Sequence, residues 1–408
     1  MASGAISEET VPMNKLKWNL GQPKVVIMGN LAGGAFSMWK GLLKTGFRTH
    51  LMLSNAESGI AGLEAEGEEP PDKSLIWRCG GRPPSSGSLG ARILSMLTNQ
   101  FLLMLASFRL LRYDIIHSLA GALCQSPVWF FLFCILRLKP YLAFATGSDI
   151  REAPFQNGLR AWMARVYFRN AKKVLLLNID MVAFYHKLGI KNASFFPFMI
   201  DTGKYSPAKV KKTIGTPDET LFFMPSHLDW GESDNKPDRT STKGNDRFIR
   251  AFARCVKEGE KLKAAILYRG PDKALAKKLV ESLGIADNVE FLPEMDKRSL
   301  ISHFRMADVI VDQFDIGAYG TSMLEAMACG KPVLIFLAMD CARKSGIGEP
   351  PIACVSTEDE IYKAIKALLD PGHRNELGSA SIEWIEKIHS IPVVAARLLE
   401  EYKAGRPS

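Results

Sequence analysis

Two doubly wound α/β domains facing a central cleft are the architecture this chain predicts, and three observations predict it. Short apolar runs alternate with helix-spaced segments twice over, once in each half of the sequence. Many of these runs end in turns carrying Gly, Ser or Asp, as strands do where a parallel sheet opens toward ligand. The chain's 408 residues are long for one core and comfortable for two.

Composition narrows the class. A hydrophobic content of 47% with 23% charged residues describes an ordinary globular protein. The net charge of +9 is unevenly placed: residues 1–203 carry 22 Lys and Arg against 13 Asp and Glu, and residues 204–408 carry 30 of each. Such asymmetry suits a first half that faces an anionic lipid surface or a lipid-diphosphate acceptor, or else a basic solvated face. Nucleic acid is not expected as a partner, because no aromatic stripe alternates with the basic residues and no known nucleic-acid signature occurs. The cysteines, Cys79, Cys124, Cys134, Cys255, Cys329, Cys341 and Cys354, are odd in number and form no CxxC pair, which suits a reducing cytosol. The opening residues lack a basic-then-apolar signal pattern and read as a flexible lead.

The first half begins with a strand at 24–28, a glycine turn at 29–34 and a helix at 35–43. The turn is not GxGxxG, and the next strand, 49–53, ends without an acidic residue, so a dinucleotide site is not indicated. Polar Gly/Pro/Ser-rich loops fill 55–90 around a short strand at 75–78. In the apolar stretch 93–111, Leu94, Leu97, Phe101, Leu105 and Phe108 recur at helical spacing, which predicts a packed helix rather than a membrane span, with a monotopic contact left open. A second apolar helix is expected at 127–138. The strand 114–117 ends in His117, read as a packed side chain. The strand 141–145 runs into Thr146-Gly147-Ser148-Asp149-Ile150-Arg151-Glu152, which the strand end places at the cleft. Asp149 and Arg151 are cleft residues on this reading, or else an ion pair with a helix cap. Helix 161–170, strand 173–177 and helix 181–188 complete this half. The aromatic and Pro-bearing segment 195–207 is the interdomain connection, with the boundary near Gly203.

The second domain, 204–385, repeats the alternation: strand 221–225, a polar insertion 227–242, helix 245–256, strand 264–268, helix 272–283, strand 289–292 and helix 300–306. The stretch Val309 to Phe336 organises the rest, reading as strand, turn, helix and strand, with Gly330-Lys331-Pro332 as the helix stop. Gly317, Ala318 and Gly320 leave the backbone accessible, and the helix start behind them presents unpaired N–H groups and a positive dipole end, a seat for phosphate. Glu325, one turn inside, either accepts from a diol such as ribose or closes its own helix through a Ser322-x-x-Glu325 capping box. Helices follow at 358–369, 374–388 and 395–402.

The sequence GAYGTSMLEAMACGKPV resembles the donor-binding signature of the family-4-type glycosyltransferases of the GT-B fold, the group 1 glycosyl transferases. The resemblance implies two Rossmann-like domains, and a sugar moved from a nucleotide-diphosphate sugar to a glycan, lipid-linked or small-molecule acceptor. It further implies a retained anomeric configuration with no metal, and no cofactor beyond the co-substrate. Glu325 matches the glutamate that holds the nucleotide ribose; the family's first glutamate falls on Gly317, with Asp315 as the nearest substitute. Tyr319, Gly320, Thr321 and Ser322 belong to the same donor loop. Lys243 fits the lysine that clamps the diphosphate, while the arginine position is held by His227, with Arg239 as an alternative; Arg269, at the end of the strand 264–268, is a further candidate phosphate contact. Pro293 lies near the base. Thr146-Gly147-Ser148-Asp149 resembles the family's HGSD segment with Thr146 in place of its histidine, so Thr146, Asp149 and Lys243 are the catalytic candidates. Gly33, Gly34, Gly147 and Arg151 are expected on the acceptor side. The C-terminal segment 386–408 is expected to pack on the first domain. The alternatives are a nucleotide-sugar 2-epimerase-like isomerase and a non-catalytic nucleotide-sugar-binding protein. A cytoplasmic location follows, with peripheral contact at the inner membrane face through the basic first half.

Overall fold

A computed structural model describes residues 23–29, 34–54, 69–79, 88–119, 127–231 and 242–405. Gly33 and Arg239 lie outside the described residues. The chain divides into two compact units, Met1–Asp201 together with Lys387–Ser408, and Thr202–Glu386.

The first unit contains β1 (Val25–Met28), α1 (Gly34–Lys44), β2 (His50–Ser54), β3 (Ile76–Cys79), α2 (Leu89–Leu110), β4 (Ile115–Leu119), α3 (Pro127–Leu136), β5 (Tyr141–Ala145), α4 (Ser148–Arg151), α5 (Leu159–Asn170), β6 (Lys173–Leu176), α6 (Val182–Lys187) and β7 (Ala193–Phe195). Its strands form one parallel sheet in the order β3-β2-β1-β4-β5-β6-β7. Strands buried on both faces read as continuous apolar runs, and the pleat sends alternate side chains to opposite layers. Val25 and Ile27 join one core with Phe36, Trp39 and Leu42 of α1. Val26 and Met28 join the other, with Leu103 of α2, Phe130 of α3 and Tyr167 of α5.

Helix α2 corrects an expectation. Leu94, Leu97, Phe101, Leu105 and Phe108, read as its packed face, are all exposed; the residues it buries are Leu103, Ala106, Ser107 and Leu110. Helical spacing identifies an apolar stripe but cannot say which stripe meets the domain when a helix carries apolar residues on more than one side.

The second unit contains β8 (Thr220–Met224), α7 (Asn245–Lys257), β9 (Leu262–Leu267), α8 (Lys273–Ser282), β10 (Val289–Leu292), α9 (Lys297–Met306), β11 (Val309–Val311), α10 (Thr321–Ala328), β12 (Val333–Ile335), α11 (Met339–Lys344), β13 (Ala353–Cys354), α12 (Glu358–Ala367) and α13 (Pro371–Ile388). The sheet order is β10-β9-β8-β11-β12-β13, again parallel. Strand order reverses between β8 and β11, and their C-terminal ends flank a topological switch point where open α/β sheets bind ligand. Strand β13 and helix α11 were not foreseen, being too short to set a period.

The last helix, α14 (Ile391–Gly405), belongs to the first unit. Val394, Leu398 and Tyr402 enter the core that holds β1 and α1, and Tyr402 stacks on Phe47 with ring centroids 5.7 Å apart. The Tyr402 hydroxyl lies 2.6 Å from Nδ1 of His117. His117 is fully buried and stacks 4.0 Å from Phe144, so burial drops its pKa to about 3 and leaves the ring neutral.

Candidate functional site

At the switch point of the second unit, β8 leads into Ser226-His227 and β11 into Asp312, while Arg269 follows β9 and Lys243 precedes α7. Asn245, fully buried at the start of α7, fixes these loops. Its Nδ2 donates to Ser226 Oγ at 3.1 Å, and its Oδ1 accepts from the Asp229 amide at 3.1 Å. Arg269 is held by its main chain: the Leu228 amide donates to its carbonyl at 2.9 Å. Gly270 makes this approach feasible. Its φ is +109°, and a Cβ there would sit 2.4 Å from the Leu228 carbonyl oxygen. The Lys243 carbonyl accepts from the Phe314 amide at 2.8 Å, tying the loop before α7 to the loop after β11.

The charges gathered here act on one another. Burial pulls the Arg269 pKa down, against the carboxylates of Glu294 and Asp312. Burial raises the Asp312 carboxyl, opposed by Lys243 and Arg269. The exposed His227 ring titrates below its usual range through partial desolvation and the positive charges of Arg269 and Lys243. Arg269 Nε is buried without a hydrogen-bond partner among the described residues. A histidine kept neutral beside two cations, with an unused guanidinium N–H, is an arrangement suited to an anion.

The loop after β11 is shaped by Gln313, a residue the sequence reading passed over. Its Nε2 donates to the carbonyls of Ala318 at 2.7 Å and Phe336 at 2.9 Å, and its Oε1 accepts from the amides of Asp315 at 3.0 Å and Ile316 at 2.6 Å. All four capacities of the amide are used, so the loop is pinned to Phe336, the residue that follows β12. Gly317 has φ +70°, and a Cβ on it would crowd Phe336 and Ala338. Asp315 is engaged: it pairs with Arg247 and accepts from Thr242 Oγ1 at 2.6 Å. Tyr319 is buried, so its side chain packs within the unit rather than presenting a surface. Gly320 is the N-cap of α10 and offers no side chain to cap it, leaving Thr321 and Ser322 in an open first turn.

Glu325 is 3% exposed, and its Oε1 accepts from Tyr205 OH and from Lys297 Nζ, both at 2.8 Å. The capping-box alternative is therefore set aside: the carboxylate crosses to α9 and to the segment before β8 instead of closing its own helix. Neither Tyr205 nor Lys297 carried a local pattern that could have revealed this. Pro293 is exposed after β10.

In the first unit the turn after β5 is organised by Asp149, which accepts from the amides of Thr146 at 3.1 Å and Gly147 at 2.6 Å. Burial pushes its carboxyl up to about 6 against these hydrogen bonds. The suspected pair with Arg151 is corrected: the guanidinium binds Asp180 in bidentate fashion, at 2.6 and 2.9 Å. Side chains two residues apart on a helical turn do not face each other, whereas Asp180, 29 residues away, is brought opposite by the fold. Thr146 Oγ1 is buried without a partner among the described residues. Gly34 begins α1 and lies against Leu119. Among the described residues, no group of three His, Cys, Asp or Glu is placed to hold a metal ion.

Residues 238–384 match the family described as Glycosyl transferases group 1. Over 281 residues the chain is 26% identical to a GDP-mannose-dependent alpha-(1-6)-phosphatidylinositol monomannoside mannosyltransferase of Mycolicibacterium smegmatis, covering 63% of this chain and 71% of that one. It is 24% identical over 221 residues to a D-inositol 3-phosphate glycosyltransferase of Actinosynnema mirum, covering 50% of this chain but only 44% of the relative. Among solved structures, Anabaena HepE with UDP and glucose superposes with a TM-score of 0.67 at 16% identity, covering 94% of this chain and 100% of that one. The sucrose-phosphate synthase of Thermosynechococcus elongatus gives 0.66 at 14%, covering 94% and 98%. Residues 238–384 are thus similar to the group 1 glycosyl transferases, and the chain has the GT-B fold of the structures on which it superposes.

Proposed function

We propose that the chain transfers a sugar, with retention and without a metal, from a nucleoside-diphosphate sugar to a glycan, lipid-linked or small-molecule acceptor. The observation that carries this reading is the gathering of Lys243, Arg269 and neutral His227 at the switch point of the unit that contains the matched domain. The diphosphate is held by Lys243 and Arg269 and by the uncapped start of α10, and the ribose by Glu325. As the bond from the anomeric carbon to the diphosphate oxygen breaks, negative charge grows on the leaving phosphate, and these fixed cations stabilise it. The acceptor oxygen bonds to the same carbon and its proton passes to the departing phosphate. A complex of HepE with UDP and glucose supports the donor class, and the mannosyltransferase relative names a lipid-borne acceptor. The scattered free cysteines support a cytoplasmic location.

A thermal-shift panel of nucleoside-diphosphate sugars tests the reading, since ligand at 100 times its Kd stabilises by about 2.7 kcal/mol. One nucleotide should raise Tm, and Lys243→Ala or Arg269→Ala should each weaken it tenfold or more, about 1.5–3 kcal/mol for a lost charge-assisted bond. No shift with any donor would overturn the proposal.

A further inference from the structure

Helix α2 is the one described helix long and apolar enough to cross a membrane, yet its C-terminal half is fixed in the core of the first unit by Leu103, Ala106 and Leu110. The chain enters it from β3 and leaves it for β4, two strands of the same sheet, so the helix lies along the domain and does not span. Opposite the packed side, at 100° per residue, Ile93, Leu94, Leu97, Phe101, Leu105 and Phe108 fall within an arc of about 120°, and the stripe runs about 22 Å along the axis. No polar residue interrupts that arc, and every one of the six is exposed, Leu94 by 67% and Phe101 by 55%. A contiguous stripe of this size on a soluble surface marks an interaction site.

The neighbouring helices extend the surface. Helix α3 packs beside α2 and α5 beside α3; Leu132 and Leu136 of α3 and Trp162 of α5 are exposed. Charge identifies the occupant. The three helices contain no acidic residue, while α2 and α5 between them carry Arg92, Arg109, Arg160, Arg165 and Arg169. Arg112 and Arg137 stand just beyond α2 and α3. Of these, Arg92, Arg109, Arg112, Arg137, Arg160 and Arg169 are exposed, and none makes an ion pair among the described residues. An apolar ridge with unmatched arginines on and beside it is the pattern of an interfacial helix on anionic lipid. A second copy of the same face would bring like charges together, so self-association is disfavoured.

We infer that the outer face of α2, with α3 and α5 beside it, is a monotopic binding surface for an anionic bilayer. Leu97 and Phe101 enter the acyl boundary, and the arginines meet lipid phosphates. The inference does not depend on the proposed transferase reaction, because membrane partitioning is measured without donor or acceptor.

The test is co-sedimentation of the full chain with phosphatidylcholine vesicles and with vesicles in which a quarter of the lipid is phosphatidylglycerol. The chain should partition onto the anionic vesicles at least tenfold more strongly, and added salt should weaken that binding. Leu97→Glu with Phe101→Glu should lower binding tenfold or more with Tm unchanged; if that pair fails to fold, Leu97→Ser with Phe101→Ser serves instead. Arg109→Gln with Arg160→Gln should erase the preference for anionic lipid. Absence of binding to anionic vesicles, binding untouched by the changes at 97 and 101, or a dimer dissolved by those changes in a chain that ignores vesicles would each overturn the inference.

Discussion

Glu325 shows how much one side chain's role depends on its partners. Its carboxylate is shared between Tyr205 and Lys297, so Glu325→Ala should do two things at once. Donor affinity should fall tenfold or more, about 1.5–3 kcal/mol, as read by the donor's Kd in titration calorimetry. Global stability should also fall, because the half-buried Lys297 charge would lose the Glu325 carboxylate. Lys297→Met should shift stability with a smaller effect on donor affinity; equal effects on both would count against a direct ribose contact by Glu325. Gly317 poses the converse question, since the family pattern places a carboxylate there. With φ at +70° and Phe336 and Ala338 at the Cβ position, Gly317→Glu should lower stability by about 1–2 kcal/mol in chemical denaturation rather than improve the site. The neighbouring Asp315 does not stand in freely for the missing group, because it is bound to Arg247 and Thr242.

At the level of elements, the strand ends and loops of the second unit are joined by contacts that make them one assembly. Gly270 allows the turn after β9 to lie against Leu228, and through it sets Arg269. Gly270→Ala should therefore cost more than the usual left-handed penalty of about 1–2 kcal/mol. It should weaken nucleotide binding together with Tm; an unchanged nucleotide Kd would show that Arg269 is placed by something else. Much of this assembly's scaffolding was legible beforehand: the strands at 221–225, 264–268 and 309–311 and the helix starting at Asn245 announce themselves by period and turn chemistry. Gln313 was not legible, since a buried glutamine bridging its own loop to a residue 23 positions on leaves no periodic mark. The same limit explains α2, where the apolar stripe was read correctly as a stripe and wrongly as the inner one.

On the scale of the whole molecule, α14 is built into the first unit although it follows the second in sequence. Deleting residues 391–405 would uncover the core at Val394, Leu398 and Tyr402, each worth about 1.5–3 kcal/mol when buried. Loss of cooperative unfolding of the first unit is expected, visible as a missing calorimetric transition. The pH dependence of stability follows from groups of opposite sign. His117 and His389 titrate near pH 3 when folded because burial opposes their charge, whereas unfolded imidazoles take up protons below about 6.5. The unfolded state thus binds more protons as pH falls from about 6.5, and stability is lost over that range. Asp149, raised to about 6, works the other way and removes stability as pH rises from about 4 through 6. Asp149→Asn should therefore steepen the loss of Tm between pH 6 and pH 4 relative to the parent.

The sequence by itself determined the α/β alternation, the existence of most strands and helices, and the glycine-bearing turn and helix around Glu325. These are local properties, set by side-chain period and by turn residues within a few positions of one another. Only the tertiary structure decided which side of α2 is covered, that Arg151 pairs with Asp180, and that Tyr205 and Lys297 hold Glu325. Each of those contacts joins residues far apart in sequence or depends on what packs against a helix. No local pattern records them, because the free energy of a contact depends on the partner the fold supplies.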